Sequence, residues 1–554
     1  MHFIYIIFCL LRLILTLFPE FGYIHPDEFF QGPEIVYGDL LQIKTLKTWE
    51  YTSSKPVRSV IFPFLTTGFT CLIADSTGIF SSVFGQYLHS YLLLVLPRLF
   101  MLCLSFITDL LIFRICKLEQ QNPSDCLIMY ASSYVTLTYL IRPLSNSLEM
   151  LFFSVLSFII FKNLKYFSLN ASVIKNANNC FKTYFITGLI LGFGTFNRPT
   201  FLAYSFFPII CLFFSNKKVS FHEFSCNSIS FLFGALSSSI CICFLDTSYY
   251  NKWHYSKVNF EYFKISNIII TPLNFILYNV NTENLSSHGL HPFYLHLLVN
   301  IPLLFSVCGL HLMFIILQYL KKLLKNPCIA LNINKYFIFY SLLFPLCILS
   351  FVPHQEPRFI IPLLFPLIIL SQRILRNKTC RILWFILNSL CLVFYGFFHQ
   401  GGVYLSSSYL HGVLQNSNNT AVVFYKTYMP PRFLLGIKKD DISIYDFAGM
   451  NEQKFLTSLH NLEQRNLGNI FVVIPFRVLK VLVNSTNIFK NYVMIERKSN
   501  FPHLSTEMLP NSSEFKFLFD SNKSLFLKIF ELKEIFSLHI LNYKKIKHIE
   551  SNIS

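Results

Sequence analysis

The chain has 554 residues, of which 53% are hydrophobic and only 13% charged, and its mean hydropathy is +0.50. Soluble domains carry roughly a quarter charged residues, so a water-soluble globular fold is excluded and lipid is the expected main solvent. The net charge of +18 raises the question of a nucleic-acid partner, but the excess lies in loops between apolar runs and needs no such partner.

Runs of Phe, Leu and Ile long enough, some only just, to cross a hydrocarbon core of ~30 Å predict about eleven transmembrane helices. They fall at 3–19, 88–113, 126–140, 148–161, 183–196, 199–214, 227–245, 293–319, 336–352, 359–371 and 382–398. Residues 1–19 read as a retained first span. No Lys or Arg precedes the run, Arg12 interrupts it, and no small-x-small cleavage site follows. Residues 20–87 form a long loop that opens on His25-Pro26-Asp27-Glu28. A helix-compatible stretch at 33–46 comes next, then Trp49-Glu50 and Pro56-Val57-Arg58-Ser59. Apolar patches near 60–74 read as interfacial helices. Residues 88–398 form the multi-span bundle. From 399 to 554 short β-rich runs at 420–428, 470–477, 515–519 and 525–531 predict a small α/β domain.

With a cytosolic N-terminus, the loops 114–125, 162–182, 215–226, 320–335 and 372–381 face the cytosol. They hold sixteen Lys and Arg against Glu119, Asp125 and Glu223, the positive-inside pattern. Residues 20–87, 246–292 and the tail from 399 are then lumenal. Sequons beginning at Asn284, Asn418, Asn484, Asn511, Asn522 and Asn552 fall on that side. The fifteen cysteines lie mostly inside apolar runs without CxxC pairs, so neither a zinc site nor a disulfide framework is expected.

The unusual polar motifs share the lumenal side. They are His25-Pro26-Asp27-Glu28, the string from Arg142 to Glu149, Asn197-Arg198-Pro199-Thr200, Asp246-Thr247-Ser248-Tyr249-Tyr250, His288-Gly289-Leu290-His291-Pro292 and His354-Gln355-Glu356-Pro357-Arg358. Each alone has an ordinary explanation. Asp27 and Glu28 can be solvated loop acids, and Arg142, Arg198 and Arg358 can snorkel from span ends. His291 and His354 can be hydrogen-bonded interfacial histidines, and Asp246 a polar helix end. Together they offer the chemistry of glycosyl transfer from a lipid phosphate sugar. A carboxylate can take the proton of a sugar hydroxyl as it attacks an anomeric carbon. Guanidinium and imidazolium groups can neutralise a phosphate leaving group. No Asp-x-Asp metal motif occurs in the lumenal loops, so no metal is expected.

These residues carry a resemblance. The chain resembles the endoplasmic-reticulum mannosyltransferases of glycosyltransferase family 22, which have the GT-C fold and use dolichyl phosphate mannose. His25-Pro26-Asp27-Glu28 followed by Phe29-Phe30-Gln31 looks like the branch that builds GPI anchors. Supporting strings are Thr48-Trp49-Glu50, Phe196-Asn197-Arg198-Pro199-Thr200-Phe201 and Tyr428-Met429-Pro430-Pro431-Arg432. His354-Gln355-Glu356-Pro357-Arg358 is the form found where a fourth mannose is added in α1,2 linkage; other branches carry Lys in place of Gln355.

The resemblance implies an α-helical polytopic membrane protein, a GT-C-like bundle with a small lumenal α/β C-terminal domain, in the endoplasmic reticulum membrane. It implies an inverting transfer from dolichyl phosphate mannose to the third mannose of a GPI glycolipid precursor, with no cofactor or metal. Asp27 is then the expected base, with Glu28 as helper or second candidate. From charge and side, Arg358, His354 and Arg198 are assigned to the donor phosphate. His25, Gln31, Arg58 and His291 are assigned to the acceptor or to support of the loop. The rival readings are the same chemistry on the third GPI mannose or an N-glycan precursor, and a polytopic transporter. A transporter places its ionisable residues near the midplane of repeated halves, and no repeat stands out here.

Overall fold

The computed structural model describes residues 2–78, 85–169, 177–214, 220–251, 267–286, 289–327, 335–484, 489–520 and 522–546. His288 of the His-Gly-Leu-His-Pro string and the sequon residue Asn552 lie outside them. The chain forms two compact units. The first comprises 1–15, 47–66 and 98–389, and the second 16–46, 67–97 and 390–554.

Among the described residues, five helices are long and apolar enough to cross a membrane: His89–Leu118, Ser145–Lys165, Phe221–Tyr250, His296–Lys325 and Lys378–Phe398. Five shorter apolar helices accompany them, Phe3–Leu17, Ile61–Ser76, Phe201–Phe214, Phe337–Ser350 and Pro357–Leu370. Helices are the form such sequences must take, because a lipid-facing backbone has to satisfy its own N–H and C=O groups.

In the first unit, helix Ala177–Asn197 packs on Phe221–Tyr250 through small residues. A Cβ on Gly188 would stand 2.1 Å from the Phe231 carbonyl oxygen, and one on Gly234 2.1 Å from that of Phe185. Gly188 and Gly192 thus form a small-xxx-small seam that lets the backbones touch. The expected span at 126–140 is not one helix. Pro123–Ser132 ends at Ser133, whose backbone turns extended, and a π-helical turn follows at Val135–Tyr139. The break is satisfied from a neighbouring helix: the Tyr134 N–H donates to Asn388 Oδ1 at 2.8 Å, and the Trp384 indole N–H to Ser132 Oγ at 2.9 Å. The expected span at 359–371 begins as a 3-10 helix, Pro357–Leu363, where Pro357 and Pro362 withhold donors.

The second unit holds the small α/β domain. Strands β1 (Thr420–Phe424), β2 (Ile442–Asp446), β3 (Asn469–Pro475), β4 (Tyr492–Asn500) and β5 (Leu538–Lys545) form one sheet in the order β2-β1-β3-β5-β4. β1 runs parallel to β2 and β3, while β5 is antiparallel to β3 and β4. β1 is buried on both faces, which explains its unbroken apolar run. Ala421, Val423, Ile470 and Val472 pack with Phe455 and Leu459 on one side. Val422, Phe424, Phe471 and Val473 join a core with Phe29, Tyr37 and Phe433 on the other.

The expected strands at 420–428 and 470–477 are present as β1 and β3. Those at 515–519 and 525–531 are not: Ser512–Phe519 is a 3-10 helix and Leu525–Ile535 an α-helix. Ser524 caps the latter by accepting the Leu527 N–H, and its Leu, Lys and Glu residues favour helix.

Candidate active site

The acidic motif lies in the second unit. Pro26 holds a helical φ of −54° and starts a single turn, Asp27–Phe30, with Asp27 and Glu28 at its N-terminal end. The Phe29 and Phe30 amides donate to the Pro26 carbonyl. The Asp27 N–H donates to His25 Nδ1 at 3.1 Å, and the same ring nitrogen lies 3.2 Å from Asp27 Oδ1. His25 thus braces the backbone of Asp27, with Nδ1 as the acceptor of its N–H. The two acids differ in setting: the Asp27 side chain is 15% exposed, whereas Glu28 is fully buried. Phe29 and Phe30 anchor the turn in the core, and Gln31 is buried behind it.

A third acid of this loop, Glu34, was not singled out from sequence. It is fully buried, accepts the Leu46 N–H at 2.9 Å on Oε2 and the Phe433 N–H at 3.1 Å on Oε1. Burial pushes its carboxyl up to about 7, against the opposing pull of those amides and of Arg432. The available signal was a lone carboxylate in the apolar stretch Gly32-Pro33-Glu34-Ile35-Val36.

The cationic motifs lie in the first unit. His354 is engaged at both ring nitrogens, Nδ1 with the Gly289 carbonyl at 3.1 Å and Nε2 with Glu356 Oε1 at 2.9 Å. Both partners accept, so the ring donates twice and is an imidazolium. The Glu356 hydrogen bond accordingly raises the His354 pKa, against the effect of burial. Gly289 presents its carbonyl with φ +91°, a left-handed conformation that glycine adopts without strain. The second Glu356 oxygen binds Arg358 Nε. One carboxylate therefore organises two cations.

Gln355 is the buried linchpin of the same string. Its carbonyl accepts the His296 N–H at 3.1 Å, and its amide donates to the Ser350 carbonyl at 2.8 Å. A lysine could donate to Ser350 but could not accept from His296. The Gln355 N–H donates to His291 Nδ1 at 3.3 Å, so His291 is a strut for this loop. Arg198 stacks on Phe359, as does Arg358. Arg198 also donates to Ser145 Oγ at 2.9 Å and lies 3.6 Å from Glu149 Oε2.

Arg58, also in the first unit, pairs with Glu50 at 2.9 Å. Its backbone neighbours are clasped by the buried Asp246, which accepts from the Ser59 hydroxyl and Val60 N–H at 3.0 Å each and from the Thr271 hydroxyl at 3.3 Å. Asp246 is therefore a tertiary clasp rather than a polar helix end with local bonds. The first unit brings together His354, Glu356, Arg358, His291, Arg198 and Phe359; the second brings together His25, Asp27, Glu28, Gln31 and Glu34. Among the described residues, no group of three or more His, Cys, Asp or Glu side chains stands at metal-binding spacing.

The chain is similar in fold to ArnT from Cupriavidus metallidurans, whose crystal structure is bound to undecaprenyl phosphate. The TM-score is 0.50 at 9% identity, covering 89% of this chain and 95% of that one. That likeness is one of fold, a GT-C-type bundle of apolar helices with a small sheet. The profile of the Alg9-like mannosyltransferase family matches residues 3–432. GPI mannosyltransferase 4 of Drosophila melanogaster is 27% identical, over 92% of this chain and 86% of that protein. GPI mannosyltransferase 4 of Saccharomyces cerevisiae is 32% identical, over 76% of this chain and 74% of that protein. The chain belongs to the Alg9-like mannosyltransferase family.

Proposed function

We propose that this mannosyltransferase adds an α1,2-linked fourth mannose, taken from dolichyl phosphate mannose, to the third mannose of a GPI-anchor precursor at the lumenal face of the endoplasmic reticulum. The relatives named GPI mannosyltransferase 4, similar over most of the chain, support the acceptor class. The observation that carries the chemistry is the unequal setting of the paired acids. Asp27 reaches the surface on a braced turn and Glu28 does not, so Asp27 is the base and Glu28 a support.

Asp27 takes the proton from the 2-hydroxyl of the third mannose. The hydroxyl oxygen bonds to the anomeric carbon as the bond from that carbon to the phosphate oxygen breaks, and the electron pair leaves with dolichyl phosphate. Attack from the opposite face turns a β-linked mannosyl phosphate into an α-mannoside. Arg358, the His354 imidazolium and Arg198 bind the donor phosphate, and two of them share Glu356, which leaves a net positive pair. These fixed cations take the place a metal holds with nucleotide-diphosphate donors. His25, Gln31, Arg58 and His291 support the two loops, as their hydrogen bonds and burial indicate.

The test is expression in cells lacking the fourth-mannose enzyme, with GPI precursors read by mass spectrometry. A species one hexose larger, sensitive to an α1,2-specific mannosidase, is expected; no added hexose overturns the acceptor assignment. Topology is read at Asn418, which is exposed in the C-terminal region. Its glycosylation is expected, and a cytosolic location of this region overturns the sidedness.

A further inference from the structure

We infer that Glu34 is a positioning residue for mannosyl transfer, locking the acidic loop onto the 428–437 segment of the C-terminal region. The inference rests on the assignment of the base to the Asp27-Glu28 pair. The loop is tied on both sides of that pair. Before it, the Tyr23 hydroxyl donates to the Met429 carbonyl at 3.0 Å. After it, Glu34 joins the Leu46 and Phe433 amides through its two oxygens. Further on, the Lys44 N–H donates to the Ile437 carbonyl at 2.8 Å. Between these ties Phe29 packs against Phe433 at a tilt, with ring centroids 5.8 Å apart, and Tyr37 does so at 5.3 Å.

Of these ties, Glu34 is the one whose chemistry cannot be replaced by an isostere. Both partners are backbone donors, and a carboxyl group offers an oxygen acceptor to each, the hydroxyl oxygen of its acid form included; glutamine would turn its NH2 toward one of them. The charged and titratable groups that interact with it are Arg432 and Tyr23. Glu34 itself sits seven residues beyond Asp27 and faces backbone on both sides, so it acts through the loop and not on substrate. The loop's anchorage also gives the C-terminal region a part in the reaction: it is the seat on which the catalytic turn rests.

The experiment uses the full-length protein in detergent, with dolichyl phosphate mannose and a trimannosyl GPI lipid, and separates kcat from KM. Glu34→Gln is expected to lower kcat on the order of a hundredfold, the cost of a slightly misplaced catalytic group, with both KM values kept within about twofold. Tyr23→Phe, which cuts the tie on the other side, is expected to lower kcat in the same sense by a smaller factor. Unchanged kcat in Glu34→Gln, or a raised KM with kcat retained, overturns the inference. Should Glu34→Gln fail to fold, the kcat-only defect of Tyr23→Phe carries the test, and its absence overturns the inference. Asp27→Ala and Glu28→Ala run alongside. Activity in both singles out failure of the base assignment, whereas inactive Asp27→Ala with fully active Glu34→Gln sinks the positioning role alone.

Discussion

Arg12 offers the sharpest test of how the helical part is held together. It sits mid-helix in His2–Leu17, fully buried, with Nη1 2.8 Å from Asp109 Oδ2 and Nη2 3.4 Å from Oδ1. Ser105 Oγ accepts a further bond at 3.1 Å, and the guanidinium lies 4.7 Å from the Phe106 ring centroid. Arg12→Met removes the cation and leaves the Asp109 carboxylate buried without it. Breaking a buried pair on one side costs about 3–5 kcal/mol, whereas replacing both members with apolar groups is often neutral. A loss of that size is a large fraction of the roughly 5–15 kcal/mol that holds a typical domain folded. Arg12→Met should therefore lose most of its monodisperse protein in detergent, read by fluorescence-detected size exclusion after a temperature ramp. Arg12→Met combined with Asp109→Leu should recover most of it. A double variant as unstable as the single one, or a single variant that melts like wild type, would refute the reasoning.

Three further outcomes follow from the same geometry. Glu356→Gln removes the anion that keeps the His354 ring protonated, so the pH at which donor KM rises should move downward; an unmoved profile removes His354 from donor binding. Asp246→Asn can still accept from Ser59 and Val60 while the Thr271 hydroxyl turns to accept, so it should cost less than about 1 kcal/mol. Asp246→Leu strands three donors at roughly 1–3 kcal/mol each, and equal yields of the two variants would contradict the clasp. Glu34, with its pKa raised to about 7 by burial, holds a proton in the folded state that the unfolded chain releases at lower pH. Its contribution is full below the unfolded value and is lost as pH rises through about 7, a swing of about 3 kcal/mol. Melting of wild type relative to Glu34→Gln should fall as pH rises from about 4.5 to about 7 and then level off. The buried His503 and His539, pushed down to about 3 and about 4, are present in both proteins and cancel in the comparison.

The membrane class was legible because lipid imposes one strong rule, and long apolar runs with few charges satisfy it. The breaks were not. The run at 126–140 reads as continuous because nothing local announces that Asn388 supplies the acceptor that the Tyr134 N–H needs. Strand and helix were confused at 525–531 for a related reason: a short apolar run has no decisive period, and the Ser524 cap decided it. In the candidate site, Asp27 and Glu28 were conspicuous because a proline presents them in a loop. Glu34 was not, because its partners are backbone amides at Leu46 and Phe433, the second of them distant in sequence. Gln355 was marked by resemblance, yet its work of joining Ser350 to His296 is visible only once both are in place.

The most direct test of the central claim is transfer of radiolabelled mannose from dolichyl phosphate mannose to a synthetic trimannosyl GPI lipid, by purified protein in chelator-containing buffer. Wild type should form a tetramannosyl product, and Asp27→Asn should bind both substrates while forming almost none. Product formation by Asp27→Asn at the wild-type rate, or none by wild type until a divalent metal is restored, would contradict the account.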